Sequence, residues 1–323
     1  MRIDPALRAL RSNPDSQRIA QTALETCKSG WRSAEGNASI FAELIRYGRG
    51  DELGECPALS SLFADLDRAA ALVEDLVSQI LPQIAAHPLG QVPFRHQYSG
   101  GMAVLQLAAA GDAALSLVMY ERSGDTPHSP TICFTDTERH EIALAGSGTM
   151  QIVRRNRGRR APAELSVSSV EMKSGQNLSL CGMFETKRIE SVEERLVILR
   201  LGRTGAAPEP SLEFRVADGE LVHQASGDKR DSCHELMVSL LGRMGRCDAA
   251  PVLAEMTRSG SDHLRWQALR ECLALDTATG FTALCGIARN PADTLSANAG
   301  SLRAQLIEAY PELAAFEKTL CLA

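Results

Sequence analysis

Between residues 91 and about 225 the apolar residues of this chain come in short runs, and turn chemistry interrupts them at strand spacing. Gly100-Gly101, Gly111-Asp112, Gly146-Ser147-Gly148 and Asp218-Gly219 supply the positive-φ and Asx-type positions that tight turns need. Strands are expected at Phe94–Tyr98, Met102–Ala109, Ala113–Glu121, Ile132–Thr135, His140–Ala145, Thr149–Arg154, Glu164–Val170, Leu178–Cys181, Thr186–Ile189, Leu196–Leu201, Leu212–Val216 and Leu221–Gln224. Many strands in succession with no helix between them can satisfy their backbones only by antiparallel pairing, in a sandwich or barrel.

The flanks are helical. From Ser60 to Ala86 apolar side chains recur at three- and four-residue steps (Leu62, Phe63, Leu66, Ala69, Val73, Leu76, Ile80, Ile84), with Asp65, Asp67, Arg68, Glu74 and Asp75 opposite, and Pro88 just beyond. That polar face is acidic, whereas a membrane-surface helix carries a basic one, so the helix is expected to pack against the neighbouring domain. Residues 228–323 are again helical and partly repetitive. Leu241–Leu253 aligns with Cys272–Leu284, and Asp262-His-Leu-Arg-Trp-Gln-Ala-Leu-Arg270 lies between them. This resembles the start of a HEAT-type repeat helix, with Asp262 expected at the cap and Arg265 at the arginine position of that repeat. The expected organisation is multidomain α+β: a helical region over 1–90, a β-barrel over 91–225 and helical repeats over 228–323.

Composition excludes several classes. The formal charge is −6, giving no global attraction to nucleic acid or anionic membranes. No apolar stretch approaches a bilayer span, and the first twenty residues carry dispersed arginines rather than a secretory core. Nine scattered cysteines with no C-x-x-C pair suggest reduced thiols. The expected location is therefore cytoplasmic. There is no phosphate loop, dinucleotide glycine fingerprint, H-E-x-x-H or G-x-S-x-G.

One segment bears on chemistry. In Phe134-Thr-Asp-Thr-Glu-Arg-His-Glu-Ile-Ala-Leu-Ala-Gly-Ser-Gly148, Glu141 lies four residues beyond Thr137 and Gly148 seven beyond Glu141. This resembles the first cupin motif, in which two histidines one residue apart, a glutamate and a glycine follow in order. Thr135 and Thr137 stand where the histidines would. A second stretch from Gly175 resembles the second motif and puts its histidine position on or near Thr186. The resemblance implies a cupin-like barrel over residues 95–203, often a homodimer, in which imidazoles bind a metal. Threonine hydroxyls are poor ligands for a transition metal, so no cofactor is expected. Were a metal present (Fe, Mn, Zn or Ni), it would need a non-standard site, for example from His96, His128 and Glu141. The sharing of parity by Thr135, Thr137, Arg139 and Glu141 suggests instead a metal-free polar pocket, with Thr186 and His96 as further candidates. His140 and Glu141 are adjacent and should face opposite ways.

Arg154, Arg155, Arg157, Arg159 and Arg160 lie within seven residues, expected as a hairpin loop open to an acidic protein surface. Residues 91–225 balance 15 basic against 16 acidic side chains, which disfavours nucleic acid. Trp266 is a further partner-contact candidate, with core packing as its plain alternative. The leading expectation is a non-catalytic cupin-like binding or regulatory protein that engages a protein partner through barrel or repeats. A cupin-type oxygenase or isomerase with a non-standard metal or metal-free pocket, and a small-molecule sensor, are the alternatives.

Overall fold

The computed structural model describes residue 8 and residues 13–122, 129–156, 162–206 and 208–314. The chain forms two compact units, one comprising Met1–Pro208 with Leu212–His223, the other Glu209–Ser211 with Gln224–Ala323.

The first unit is organised by two long strands. Strand β5 (Thr137–Arg155) and strand β8 (Glu185–Thr204) pair antiparallel along almost their whole length. Before them come β1 (Arg95–Ser99), β2 (Met102–Ala110), β3 (Ala113–Glu121) and β4 (Thr131–Phe134). Strands β6 (Leu165–Lys173) and β7 (Asn177–Cys181) lie between them in sequence, and β9 (Ser211–Arg215) and β10 (Leu221–Ala225) follow. The main sheet runs β1-β2-β3-β8-β5-β6, with β7 on the first half of β5. A second sheet has the order β10-β9-β4. Antiparallel pairing is as expected. Barrel closure is not: among the described residues the main sheet is open, with β1 and β6 at its edges.

The sequence also suggested two pairs of short strands where the structure has two continuous ones. Gly146-Ser147-Gly148 does not turn the chain back. It bends β5, with register shifts between Ala143 and Ala145, Gly146 and Gly148, and Thr149 and Met150, so that the far half of β5 changes partner from β7 to β6. Bulges of this kind add twist without ending a strand. Gly146 is required there. Its φ is +79°, and a Cβ would lie 1.8 Å from the Arg195 carbonyl oxygen.

The α-helices of this unit among residues 13–122 are α1 (Asp15–Ser33), α2 (Glu35–Tyr47), α3 (Pro57–Ser61) and α4 (Leu66–Ala86). The single helix expected from Ser60 to Ala86 is divided, because Asp65 accepts hydrogen bonds from the Asp67 and Arg68 amides (2.9 and 3.4 Å) and so caps α4. Period-2 alternation then separates the two faces of the sheet. Leu115, Leu117, Ile142, Leu199 and Leu201 face the helices and share one core with Leu24, Trp31, Leu44, Leu72 and Leu76. Trp31 is fully buried, donates Nε1–H to the Leu72 carbonyl at 3.2 Å, and meets Phe41 edge-on at 5.0 Å. Val118, Tyr120, Ala143, Leu196 and Ile198 lie on the other face, with Met150, Ile152, Met172 and Leu180.

The second unit contains α5 (Lys229–Arg243), α6 (Ala250–Met256), α7 (Asp262–Leu275), α8 (Thr277–Ala288) and α9 (Ser296–Ala309). Helix α7 packs on α5, α6 and α8, and α8 on α9. The cap of α7 is Ser261, whose Oγ accepts from the Leu264 amide at 3.3 Å, and not Asp262. Asp262 instead takes Arg265 Nη1 at 3.2 Å and the Thr294 hydroxyl at 2.7 Å, while Arg265 Nε reaches the Thr257 carbonyl at 2.8 Å. Trp266 packs, partly buried, against Leu269, Phe281 and Leu284. No helix among the described residues is long and apolar enough to cross a membrane.

Gly146→Ala is expected to destabilise the chain by about 2–4 kcal/mol, combining left-handed strain with displacement of β8. Gly30→Ala in α1, where a Cβ meets nothing within 4 Å, should be neutral or stabilising by up to about 1 kcal/mol. Urea denaturation of the two variants checks the contrast.

Candidate functional site

The candidate pocket residues separate once the strands are placed. Alternation along β5 puts Arg139 and Glu141 on the inner face, and Glu138, His140 and Ile142 on the helix-facing side. The opposition of His140 and Glu141 is as expected. Cross-strand register puts Arg139 opposite Gly202 and Glu141 opposite Arg200.

Glu141 is the centre of the inner face. Its side chain is 0% exposed, and its partners Lys187 and Arg200 are 5% and 23% exposed. Lys187 donates from Nζ to Glu141 Oε2, and Arg200 donates from Nε to Oε1 at 2.6 Å. Arg200 also donates from Nη2 to the Tyr120 hydroxyl at 3.0 Å, and the Lys187 ammonium stands 5.7 Å from the Tyr120 ring centroid. Burial alone would push the Glu141 carboxyl up, but the charges of Lys187 and Arg200 together hold it below the usual carboxylate range. Both carboxylate oxygens are committed to cations.

Beside this triad lies Arg139, which donates from Nη2 to Thr135 Oγ1 at 3.0 Å. Burial, and next the charge of Arg200, lower its pKa. Thr137 Oγ1 lies 3.3 Å from Thr204 Oγ1. Thr135 thus meets Arg139, Thr137 meets Thr204, and Arg139 and Glu141 share the inner face of β5.

Thr186 does not join them. It pairs with Val153, whose side chain belongs to the small core of Ile132, Phe134, Ala163 and Phe214, so it lies on the opposite side of β8 from Lys187. The strand delivers Lys187, one residue later, to Glu141. His96 is also excluded. It is exposed on edge strand β1, in line across the sheet with Leu105, Leu117 and Leu199 of the helix-facing side, and its Nδ1 is 3.0 Å from the Phe94 carbonyl. His96 and Glu141 thus cannot share a metal, and His128 lies outside the described residues. Among the described residues no group of three His, Cys, Asp or Glu side chains is placed to hold a metal ion. The four positions that the motif spacing singled out do not fit one either. Three are threonine hydroxyls, of which Thr186 lies on the opposite side of its strand, and each oxygen of Glu141 is hydrogen-bonded to a cation.

The arginine-rich segment is likewise not a uniform loop. Arg154 and Arg155 end β5, whereas Arg157, Arg159 and Arg160 lie outside the described residues. Arg154 is tied to Glu185 at 2.8 Å and to the Ser168 hydroxyl at 3.1 Å. Arg155 is buried, donates from Nε to the Met183 carbonyl at 2.5 Å, and stands 5.7, 5.1 and 5.9 Å from the rings of Phe134, Phe184 and Phe214. Such a cage desolvates the guanidinium while the rings offer it π-density, so Arg155 is a packing residue and not a surface contact.

A second polar network faces the helices. Glu138 accepts from the Tyr47 hydroxyl at 3.0 Å and Arg203 Nη2 at 2.9 Å, with His140 Nε2 3.0 Å away. Arg203 Nη1 also reaches the Tyr47 and Asp51 carbonyls at 3.1 and 2.6 Å. These bonds pin the end of α2 to the sheet.

No protein-family model matches the chain, and no curated protein matches it in sequence. Solved structures similar to part of it include a sugar phosphate isomerase from a cupin superfamily of Silicibacter pomeroyi. The match has 9% identity, covers 39% of this chain and 85% of that one, and has a TM-score of 0.25. An RmlC-like cupin from Shewanella frigidimarina matches with 7% identity, 35% and 86% coverage and a TM-score of 0.24. KdgF from Halomonas sp. matches with 13% identity, 34% and 89% coverage and a TM-score of 0.25. At such scores the functional reading of the inner face depends on this chain's own residues.

Glu141→Gln leaves Lys187 and Arg200 buried without their counter-charge and should cost about 3–5 kcal/mol. Because the folded carboxyl titrates below its unfolded value of about 4.3, its contribution is whole above that pH. It is lost as pH falls through the lower folded pKa. Urea titrations from neutral to acid pH should show the wild-type protein weakening through that window and the variant, already weaker, losing less.

Proposed function

We propose that this protein is a non-catalytic, cupin-like binding or regulatory module whose inner face is held together by an ion-pair triad instead of a metal. The observation that carries this reading is the commitment of both Glu141 oxygens to Lys187 and Arg200. A carboxylate whose two oxygens each face a buried or half-buried cation is a poor ligand for a metal cation, which the two positive charges repel, and its depressed pKa leaves it a poor general acid or base near neutrality.

The reading includes a protein partner. Its support is on α5 and its C-cap, where Leu236, Met237, Leu240 and the capping Met244 are 55–74% exposed. A contiguous exposed apolar strip of this kind is uncommon on monomeric proteins. The reading also takes the packed helices of the second unit as HEAT-like, a repeat type with recognition surfaces.

Elemental analysis of the untagged full-length chain is the direct test. Less than about 0.1 equivalent of Fe, Mn, Zn or Ni is expected, with no change after Glu141→Gln beyond the loss of stability. Stoichiometric metal that disappears in that variant would overturn the reading. For the partner, purification from the native cell should yield one stoichiometric protein that a Leu236→Asp, Leu240→Asp double variant no longer retains. A chain recovered alone counts against it.

A further inference from the structure

Among the described residues, the inner face sets three cations beside the one buried carboxylate, Glu141. Arg139, Lys187 and Arg200 are gathered around Glu141, and Arg139 and Arg200 are close enough that the charge of Arg200 disfavours the protonated form of Arg139. Glu141 opposes that effect on Arg139, but its two oxygens are hydrogen-bonded to Lys187 and Arg200; the remaining titratable groups that act on Arg139 are Tyr120 and Cys133. Neither compensates it. A phenol is neutral near pH 7, and burial raises the Cys133 thiol. Lys187 and Arg200 are turned to Glu141. Of the guanidinium donors on Arg139, one is directed to the neutral Thr135 hydroxyl, whereas a guanidinium offers five.

The space next to Arg139 is also unusual. Its cross-strand partner is Gly202. This glycine has no positive φ that would require it, and a Cβ built there would approach nothing nearer than Thr137 Cγ2 at 3.8 Å. An arginine with a hydrogen bond to Thr135 and no buried nitrogen left without a partner, so that its other donors reach open space, is therefore bordered by a position without a side chain, and the Thr137 and Thr204 hydroxyls lie on the same inner face. Guanidinium groups and hydroxyls around such a gap are the chemistry that recognises an oxyanion.

We infer that the inner face binds a small molecule through a carboxylate or phosphate group placed over Gly202, with Arg139 as principal donor, Arg200 as electrostatic support, and the Thr135, Thr137 and Thr204 hydroxyls beside it. This assignment rests on the metal-free reading above, because a metal at Glu141 would itself hold the anion. Ligand charge removes the repulsion between Arg139 and Arg200, so binding stabilises the folded chain, and the protein acts as a metabolite-responsive module.

The test is calorimetric titration and thermal unfolding of the full-length chain with inorganic phosphate and, separately, succinate, before and after treatment with EDTA. Saturable binding of one equivalent of either probe is expected, with an upward shift in Tm, unchanged by EDTA. The probe that binds more tightly fixes the ligand class. Arg139→Gln should weaken binding at least tenfold. Gly202→Leu should do the same by filling the gap, and keeps every charged group. Binding unaltered in both variants, or no saturable binding of either probe to a metal-free chain, overturns this assignment alone. Binding abolished by EDTA overturns the metal-free reading together with it.

Discussion

The continuous pairing of β5 with β8 is the constraint on which the first unit depends. Because the two strands run together past their bends, a single alternation sets which side chains meet the helices and which meet each other inside. Ile142, Leu199 and Leu201 anchor one side, while Glu141, Ile198 and Arg200 define the other. A one-residue slip would exchange the two sets and bury the ion-pair triad against the apolar helices. Gly146 makes the arrangement possible, since no other residue could accept both its left-handed φ and the close approach of the Arg195 carbonyl.

The two polar networks on this sheet have different consequences. The Tyr47–Glu138–Arg203 group is a fastener. It ties a helix end to the sheet, and Arg203 stacks 4.0 Å from the Tyr47 ring centroid. Burial alone would raise the Glu138 carboxyl, but hydrogen bonds from His140 and Tyr47 and the charge of Arg203 hold it below its ordinary range. The Glu141 group is also satisfied, yet it leaves net positive charge next to Arg139. Buried polar groups that satisfy one another stabilise without requiring a ligand, and the Tyr47–Glu138–Arg203 group is of that kind.

Much of the inner face was legible in the chain, though not its chemistry. Shared parity of Thr137, Arg139 and Glu141 follows from two-residue periodicity alone, whereas Thr135 lies before β5, across the bend at Asp136. Arg200 was also within reach, as the polar member of the alternating set Leu196, Ile198, Arg200 in an otherwise apolar strand. Lys187 was not, because motif spacing pointed to Thr186 and a strand turns adjacent residues to opposite faces. Arg155 was misplaced for a related reason. A run of arginines resembles a solvated loop until Phe134, Phe184 and Phe214, distant in sequence, are brought around one of them.

Local periodicity and residue type were enough to read the helical, strand-rich and helical segments, the antiparallel character of the sheet, and the hydroxyls at Thr135 and Thr137. Long-range contacts settle that Gly146 and Gly148 bend one strand instead of ending it, that the main sheet stays open among the described residues, and that Glu141 is neutralised by Lys187 and Arg200. Those outcomes depend on contacts between residues 46 and 59 positions apart. No local pattern encodes which of two adjacent side chains will cross the interior.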